Sequence, residues 1–514
     1  MAENNPGSEI RNAMFRRMKL NKSMQRFSTL DVQEIWNSNQ QLERFMSFAF
    51  GPVEPEIIEF ARENLLNTLS TLVISQFPNW QVFWDIWVRT RDTFPDRTDE
   101  KLPFWDWDEL LSLLGAEWAM AFRNHHKVFT AIVVVEGQEH EGYERTPPYT
   151  GKSTVIGVGQ RREVLKNVIM RGHLKLKDHD GNLREEIGNR VVAIRQFGPI
   201  EEDKVAFLRV LRKDPGVREH FATYLSMIWN HEASDMVDIL YPFADVDLHK
   251  FLREDEYQQH RLGRIDGLVR QIQHVAEALA FLHENLWNRE DFESTQYVRF
   301  GSCHLDLKPK NILVFGLQEN TVGDWKLSDF AVSKVLRLKE RNISGLNGEH
   351  KHGSVIRSVW PDMDANRYQA PEIERKKMGG GGRESDIWSL GCICVEAIAA
   401  GLGLGMDLEN MITAESNGQM SENDYFYHLR TIGSSKVNLK IDALKPRVRD
   451  WVKSDFSGGE GNNSQRRQWI LHQTRTLVLS MLKPRKRSRP TADRVASRLR
   501  SILQRAGDGN EPSA

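Results

Sequence analysis

Apolar and polar positions follow two different rhythms along the chain. Between about Leu30 and Arg123, large apolar residues recur every three to four positions, and the stretches NWQVFWDIWVRT and LPFWDWDELLSLLG add many aromatics. That spacing predicts amphipathic helices that each bury one face. Aromatic helices of this kind usually form a core of their own, so a helical aromatic-rich module is predicted over residues 31–127. A docking surface for a partner is the alternative interpretation.

Near Val128 the pattern changes to β-branched runs. The segments RREVLKNVIMRGHLKL and RVVAIRQF, with a turn at DHDGN between them, predict an antiparallel meander. After Asp247 the helical period returns, most clearly over residues 264–283. The chain is therefore predicted to be α+β, with a strand-rich region over residues 128–244 and a helical region over residues 245–505.

The two ends of the chain lack this periodicity. Residues 1–30 are polar and basic and contain Pro6 and Gly7, which predicts a disordered or loosely attached arm, and residues 506–514 are predicted to be a tail. The N-terminal residues have no apolar signal core, and no long apolar run follows them. We therefore expect an intracellular protein, cytoplasmic or nuclear, that does not span a membrane.

Composition limits the kinds of partner. The 514 residues include 70 Lys and Arg against 71 Asp and Glu. This balance argues against an electrostatic footprint for nucleic acid or membrane over the whole surface, so no specific nucleic acid is expected as a partner. KPRKRSRP, residues 483–490, is a local basic patch for which a solvated surface is the favoured interpretation and a nuclear-import or anion-binding patch is the alternative. The 3 cysteines lack the spacing of a zinc site or a disulfide framework, so burial is expected for them.

Candidate chemistry is concentrated in the stretch CHLDLKPKNILV and the later stretch WKLSDFAVSK. Asp306 can accept the proton of an attacking hydroxyl, and Lys308 can neutralise charge on a transferring phosphate. The Asn311 oxygen and the Asp329 carboxylate can bind Mg²⁺. His304 is expected to support the loop by hydrogen bonding rather than to act as an acid or base. Together these residues predict phosphoryl transfer.

The two stretches resemble the catalytic loop and the DFG motif of protein kinases. YQAPEIE, SDIWSLGCI and RSRPTA follow in that family's order and match its APE motif at Glu372, the start of its central helix at Asp386, and the Arg that pairs with that Glu at Arg489. Five ordered motifs indicate a kinase-like fold over about residues 149–503. The form DLKPKN is typical of serine/threonine kinases, and the chain is also similar to kinase-like proteins of filamentous fungi.

The resemblance implies a bilobal protein-kinase-like fold, with ATP and Mg²⁺ as cofactors and a protein as substrate or scaffold partner. It implies catalytic roles for Asp306 and Lys308 and metal binding by Asn311 and Asp329. Nucleotide contacts are implied in the glycine-rich loop IGVGQRREVLK, the strand VVAIRQF and the hinge DILYPFADVDLHKFL. The implied contact residues are Gly157, Gly159, Val164, Arg195, Leu240, Tyr241, Phe243 and Asp247.

The nucleotide-binding half departs from the family pattern. Arg162 replaces the third glycine, and Arg195 replaces the lysine that holds the α- and β-phosphates, which keeps the charge but changes its reach. Lys204 stands where a Glu normally pairs with that lysine. Two cations about 4 Å apart at an effective dielectric constant near 20 repel by about 4 kcal/mol, so Arg195 and Lys204 are not expected to face each other without phosphates between them. Leu305 and Ala331 replace the Arg of the catalytic loop and the Gly of DFG.

Two functions are compatible with this sequence. In the first, the protein is a serine/threonine kinase that uses Asp306 as base and Arg195 as phosphate anchor. In the second, it is a pseudokinase that keeps the fold, and with it nucleotide binding, while it acts as a scaffold. The residues Arg195 and Lys204 motivate the second hypothesis.

Overall fold

The fold is described from a computed structural model. It describes residues 5–20, 26–99, 102, 107–142, 146–158, 163–178, 180–186, 188, 190–197, 202–213, 219–230, 236–284, 287–289, 297–329, 336–338, 367–374, 382–414, 426–432, 438–444 and 462–507. The chain divides into two compact units. Unit 1 contains Met1–Ile200 and Tyr224–Phe243, and unit 2 contains Glu201–Thr223 and Ala244–Ala514.

The first part of unit 1 is helical, as the aromatic periodicity predicts. A π-helical turn, Trp84–Val88, follows the sixth helix, and Trp36, Phe45, Phe83 and Trp87 are fully buried in a core of their own. The helices are α1 (Pro6–Leu20), α2 (Thr29–Asn37), α3 (Gln41–Phe50), α4 (Pro55–Asn64), α5 (Leu66–Ile74), α6 (Trp80–Phe83), α7 (Trp107–Leu114) and α8 (Ala116–His126).

Helix α1 corrects the prediction of a loose arm over residues 1–30 for the part that it covers, Pro6–Leu20. Ile10 and Met14 are fully buried and belong to the same hydrophobic cluster as the later helices. Their spacing of four residues puts both side chains on one face of the helix, so few apolar residues are enough to fix it in place. Arg17 on the same helix forms an ion pair with Asp31 at 2.7 Å. The polar composition of this segment reflects its outer face.

Asp31 also joins the helices to the strands that follow. It accepts hydrogen bonds from Ser28 in a capping box and lies 2.6 Å from the Arg171 guanidinium. His173 accepts from the Thr29 backbone N–H at 3.1 Å, and its Nδ1 lies 3.1 Å from the Ile132 carbonyl oxygen. These contacts fix the start of α2 against the turn that contains Arg171 and His173.

The strands of unit 1 form two sheets. Six strands lie in the order β2-β8-β9-β7-β4-β3, and three lie in the order β1-β5-β6. Their bounds are β1 (Val134–Val135), β2 (Glu139–Glu141), β3 (Tyr149–Val158), β4 (Glu163–Ile169), β5 (Leu174–Lys177), β6 (Leu183–Glu185), β7 (Arg190–Phe197), β8 (Ser226–Asn230) and β9 (Met236–Pro242).

The predicted meander is only partly correct. The turn at residues 178–182 is present and joins β5 to β6 as an antiparallel hairpin. However, β4 pairs with β7, its partner further along the chain, and the hairpin lies in the other sheet. Buried Val192 and Ile194 on β7 and Ile169 on β4 make this pairing favourable because they contribute to one core.

Unit 2 is mainly helical. Its helices are α9 (Glu202–Lys213), α10 (Leu248–Arg253), α11 (Gln258–Arg261), α12 (Ile265–Glu284), α13 (Pro371–Glu374), α14 (Arg383–Leu402), α15 (Gly405–Ala414), α16 (Asn462–Met481) and α17 (Ala492–Gly507). Helix α12 matches the prediction for residues 264–283, and its apolar face, from Ile265 to Leu282, is buried in the main core. Helix α9 lies in the region predicted to be strand-rich, yet Phe207 and Leu211 pack into the core of unit 2.

Short strands of unit 2 carry the candidate chemistry. Strand β13 pairs antiparallel with β10 and β14, and the other strands form a three-stranded sheet and a hairpin. Their bounds are β10 (Val246–Asp247), β11 (Trp287–Arg289), β12 (Tyr297–Gly301), β13 (Ile312–Phe315), β14 (Asp324–Leu327), β15 (Leu336–Leu338), β16 (Tyr427–Ile432) and β17 (Asn438–Leu444).

Helix α14 is the one helix of the described residues whose length and composition would suit a membrane span. Of its most apolar window, 94% is buried inside the protein. Buried Trp388, Cys392 and Cys394 lie on this helix, and Cys303 is buried as well, which confirms the burial predicted for the cysteines. The helix is thus the centre of a protein core.

Candidate active site

The catalytic-loop motif folds around the carboxylate of Asp306. The Lys308 ammonium donates to Asp306 Oδ2 at 2.7 Å, and the Asn311 side-chain amide donates to the same oxygen at 3.0 Å. Asn311 also donates to the Asp306 backbone carbonyl at 2.8 Å. A 3₁₀ turn, Pro309–Asn311, brings the Asn back onto the Asp. The structure therefore brings together the three residues that the sequence placed in one loop.

Asp386 holds the first half of this loop from the N-terminus of α14. Its carboxylate accepts hydrogen bonds from the backbone N–H groups of His304 and Leu305, each at 2.8 Å, and lies 2.9 Å from His283 Nε2. Leu305 has a φ of +63°, a left-handed conformation that is costly for a branched side chain. The bonds to Asp386 offset this cost. The Asp386 carboxylate therefore fixes the backbone directly before Asp306.

The second half of the loop is fixed by the strand hairpin that follows it. Strand β13 begins directly after Asn311 and pairs with β14. Ser328 donates from its backbone N–H and its hydroxyl to the Asn311 carbonyl, both at 2.9 Å. His304 Nε2 lies 2.9 Å from the Ser328 carbonyl oxygen, which confirms its predicted supporting role. Asp329 comes next, with a φ of +59°. The position of Asp329 is therefore tied to the loop around Asp306 by the bonds of the preceding residue, Ser328, to Asn311.

Burial controls the electrostatics of Asp306. The residue is 4% exposed. Removal from water raises the pKa of its carboxyl, and the positive charge of Lys308, with the hydrogen bonds from Lys308 and Asn311, opposes that rise. A carboxylate with a raised pKa is a stronger base than an exposed one. Lys308 is therefore a regulator of this basicity as well as a source of positive charge.

The donor set suits a divalent cation with oxygen ligands. Asn311 uses its amide nitrogen in both hydrogen bonds to Asp306, so its carbonyl oxygen faces no hydrogen-bond donor among the described residues. Asp329 adds a half-buried carboxylate just after β14. In the described ranges, no cluster of three His, Cys, Asp or Glu side chains forms a metal site made of protein alone. One carboxylate and one amide are typical of Mg²⁺ sites that phosphate oxygens complete.

The predicted nucleotide contacts lie mostly on neighbouring strands of unit 1. Arg195 on β7 faces Val164 of β4 and Ile239 of β9 in the sheet register, and Gly157 of β3 faces Val164. Leu240 pairs with Ile194, next to Arg195. The structure thus brings these residues together on one sheet, while the side chains of Arg195 and Lys204 lie outside the described residues, as do Gly159, Arg162 and Ala331.

The three hinge residues differ in their surroundings. Tyr241 lies on β9 in register with Ala193, and the ring of Phe243 lies under the Lys166 ammonium at 4.8 Å. Asp247 belongs to unit 2, where its carboxylate accepts from the Lys250 backbone N–H at 3.0 Å and caps α10. The structure gives Asp247 a helix-capping role, and its predicted role toward the ribose stays a prediction.

A buried ion pair joins the predicted APE motif to the end of the chain. The Arg489 guanidinium binds both carboxylate oxygens of Glu372, at 2.7 and 2.8 Å, and also donates to the backbone carbonyls of Lys483 and Glu384. Ser385 donates to the same Glu372, and Trp388 lies under the guanidinium at 5.1 Å. The pairing predicted between these two motifs is therefore present.

Sequence reasoning missed a second buried ionic network in unit 2. Glu396 on α14 is buried, which raises the pKa of its carboxyl, and it accepts from the Tyr368 hydroxyl and from Arg253. Arg367 binds Glu409 through two hydrogen bonds at 2.7 and 2.8 Å. The only sequence signal was a Glu inside an otherwise apolar helix, which indicates that a buried partner must exist but does not identify it.

Comparison with known proteins agrees with this geometry. The model of the family described as protein kinase domain matches residues 231–499, and the match begins after β3, β4 and β7. The chain is 25% identical over 260 residues to the serine/threonine-protein kinase MPS1 of Encephalitozoon cuniculi, covering 49% of this chain and 36% of that protein. It is 24% identical over 230 residues to the serine/threonine-protein kinase Doa of Drosophila melanogaster, covering 43% of this chain and 23% of that protein.

A shorter stretch of 101 residues is 38% identical to the mitogen-activated protein kinase kinase kinase MCK1 of Pyricularia oryzae, covering 20% of this chain and 5% of that protein. In each of these comparisons the chain spans about a third or less of the relative's length. The similarity therefore concerns the domain and not the whole of those proteins.

Proposed function

Because the chain belongs to the protein kinase superfamily, we propose that it transfers the γ-phosphate of ATP to serine or threonine hydroxyls of a protein substrate. The observation that carries this proposal is the geometry around Asp306, whose buried carboxylate is held by Lys308 and Asn311. The bilobal arrangement of the family and an intracellular location are parts of the same proposal.

Each residue of the loop has a separate task in this mechanism. Asp306 orients the substrate hydroxyl and takes up its proton as the oxygen attacks phosphorus. Lys308 neutralises charge on the transferring phosphoryl group, and its bond to Asp306 keeps that carboxylate ionised. The fixed backbone between Asp386 and Asn311 keeps these groups in place, which matters because a displacement of about 1 Å can cost about 100-fold in rate.

Asn311 and Asp329 are the residues that would hold Mg²⁺. When bound, Mg²⁺ supplies charge neutralisation for the phosphate oxygens. Asn311 can hold it without losing its bonds to Asp306, because those bonds use the amide nitrogen and leave the oxygen to bind the cation. Arg195, in register with Ile239, is assigned as the anchor of the nucleotide phosphates, where a guanidinium offers a forked set of donors.

A second candidate function is that of a pseudokinase that binds nucleotide or a partner without transferring phosphate. The substitutions at Arg195 and Lys204 favour it, because the Lys to Glu ion pair of the family is missing from this sequence. The double variant Arg195→Lys with Lys204→Glu separates the two functions. A large gain in phosphate transfer would indicate that the nucleotide-binding half had lost a functional ion pair. Unchanged transfer at a measurable rate would indicate that Arg195 already anchors the nucleotide phosphates.

The decisive experiment measures transfer of labelled γ-phosphate from Mg·ATP to the protein itself and to a mixed serine and threonine substrate. We expect Asp306→Asn to lower the rate by about 100-fold to 10,000-fold. Asp255→Asn is the matched control, because Asp255 is exposed on a 3₁₀ turn of unit 2. Equal rates for wild type and Asp306→Asn, or no transfer by either at stoichiometric sensitivity, would reject the proposed kinase activity.

A further inference from the structure

The C-terminal helices of unit 2 carry an unusually one-sided charge. Between residues 465 and 507 twelve residues are Lys or Arg and one, Asp493, is acidic, although the whole chain is nearly neutral. Three of these cations serve the fold: Arg489 binds Glu372, Arg466 binds Asp266, and Arg500 binds Glu277. The remaining charge needs another explanation, because solvated like charges on one surface repel each other.

Six of the other cations, four in and around a 3₁₀ turn and two on the helix that follows it, are together called the basic face. Among the described residues, no carboxylate lies within ion-pairing distance of these six, and five of them are exposed while Lys486 is half-buried. The basic face consists of Lys483, Arg485, Lys486, Arg487, Arg494 and Arg505. The first four lie in and around the 3₁₀ turn Lys486–Ser488, and the last two lie on α17.

The cations of α17 are arranged as a stripe. Arg494, Arg498 and Arg505 are separated by four and seven residues, which places them on one side of the helix, since 11 residues complete slightly more than three turns. The adjoining side contributes Val495, Leu499 and Ile502 to the core. The stripe is therefore presented outward by a helix that packing holds rigid, and it needs no rearrangement to meet a partner.

Two features narrow the class of partner. The apolar side of α17 is buried in the core, so this helix has no apolar face left to insert into a lipid bilayer. Trp469, the one Phe, Tyr or Trp of the described residues 465–507, packs against the core, so no exposed ring of these types is available for stacking on unpaired bases. What the surface offers is a rigid array that is mostly arginine, and guanidinium groups bind phosphate oxygens through forked hydrogen bonds.

We propose that the basic face, together with Arg498, binds the phosphate backbone of a double-stranded nucleic acid without reading its sequence. Duplex DNA carries about one charge per 1.7 Å of helix axis, a fixed and dense array that suits a rigid stripe of arginines. An acidic peptide would have to be ordered before it could present its charges in this way. Binding of this kind contacts the phosphates alone and selects no sequence. It is therefore compatible with the expectation that no specific nucleic acid is a partner.

The test measures binding of the full chain to a fluorescent duplex of about 20 base pairs over a range of salt concentrations. Each phosphate contact contributes about −0.9 to the slope of log K against log salt. Replacing Arg485, Lys486 and Arg487 together with Gln should make the slope shallower by about 2 to 3. These side chains are on the surface, and the turn is held by backbone bonds, Ser488 N–H to Arg485 and Arg489 N–H to Lys486, so the variant keeps its fold.

The matched control neutralises three exposed cations of unit 1, Lys152→Gln, Lys177→Gln and Arg190→Gln, and should leave the slope unchanged. A second variant, Arg494→Gln with Arg505→Gln, should weaken binding independently of the turn. No duplex binding at 50 mM salt, or equal weakening by the control, would overturn the proposal. Tighter binding to vesicles with acidic phospholipids, or to polyglutamate at matched charge, would also overturn it, in favour of a membrane or an acidic protein.

Discussion

The catalytic loop of unit 2 and the strands β3, β4 and β7 of unit 1 differ in what their side chains do for the fold. Around the loop, the side chains of Asn311 and, from α14, Asp386 make hydrogen bonds to loop backbone groups, and the Asp306 carboxylate accepts a further bond from Asn311. On β7, the ladder to β4 and β9 is formed by backbone groups whatever side chain stands at Arg195. A strand thus keeps its backbone bonds whatever functional side chain it carries, whereas the backbone of the loop around Asp306 depends on the side chains of Asn311 and Asp386.

Because of this difference, the two regions are not equally good indicators of phosphate transfer. An intact loop around Asp306 serves the structure as well as the proposed chemistry. Arg195 and Lys204 lie on a strand and a helix whose backbone hydrogen bonds do not depend on these side chains, which makes these positions the more sensitive indicators of activity. The family match to residues 231–499 likewise begins after the strands that carry Arg195. The following variants separate the structural and chemical contributions.

The largest structural effect is expected for Asp386→Ala. It removes a buried acceptor from the His304 and Leu305 backbone N–H groups and from His283, so the free energy of unfolding should fall by about 3–5 kcal/mol. Denaturant unfolding of the full chain measures it, and the exposed Asp255→Ala should change stability by about 0.5 kcal/mol or less. A loss below about 1 kcal/mol for Asp386→Ala would mean that the loop does not depend on this anchor.

At the other region, Arg195→Ala should lower phosphate transfer by about 100-fold while stability stays nearly unchanged. The reason is that the ladder to Val164 and Ile239 uses only backbone groups. Arg190→Ala, at the exposed start of the same strand, is the control. The readouts are the transfer rate at saturating and limiting ATP and the midpoint of unfolding. Unchanged transfer in Arg195→Ala would remove Arg195 from the mechanism.

A smaller effect is expected within unit 1 for Gly172→Ala. Gly172 has a φ of +73°, and an added Cβ would lie 2.9 Å from Leu30 Cγ, so strain and overpacking together should cost about 1–3 kcal/mol. Gly181→Ala is a matched control because its φ is +84° and an added Cβ would have no atom of the described residues within 4 Å beyond its chain neighbours, so it should show the backbone cost alone. Equal losses for the two variants would mean that α2 is not packed tightly on this turn.

The smallest effect is a change in pH dependence for Lys308→Met. Burial raises the pKa of Asp306 and Lys308 lowers it, so loss of the ammonium should raise that pKa further. The ionised carboxylate is the base, so transfer should fall at a higher pH as the solution is acidified. The measurement is kcat/KM against pH, with Lys310→Met, exposed in the same loop, as control. Identical acid limbs for wild type and Lys308→Met would contradict the coupling.

Short-range features were predictable from spacing, and long-range ones were predictable only where the family resemblance supplied the partner, as it did for Glu372 and Arg489. The loop around Asp306 and helix α12 depend on residues within a few turns of one another, so spacing was sufficient. The pairing of β4 with β7 depends on which distant strand completes the core, and alternating apolar residues do not identify that strand. Helix α1 was missed because few of its residues are apolar, and Ile10 and Met14 are those of its residues that are fully buried in the core. The partners of Glu396 and Asp386 were not identified because they lie far from these residues in the sequence.

The buried pair of Glu372 and Arg489 has a consequence for biosynthesis. The two residues are separated by 117 positions, and Arg489 comes second. A ribosome adding about 5–20 residues per second delivers Glu372 several seconds before its guanidinium partner. During that interval the carboxylate cannot be enclosed without an unpaired charge, which is costly in a dry interior. Closure of this part of unit 2 must therefore wait until Arg489 has been synthesised, and a nascent chain stalled before Arg489 should remain open to chaperones and proteases.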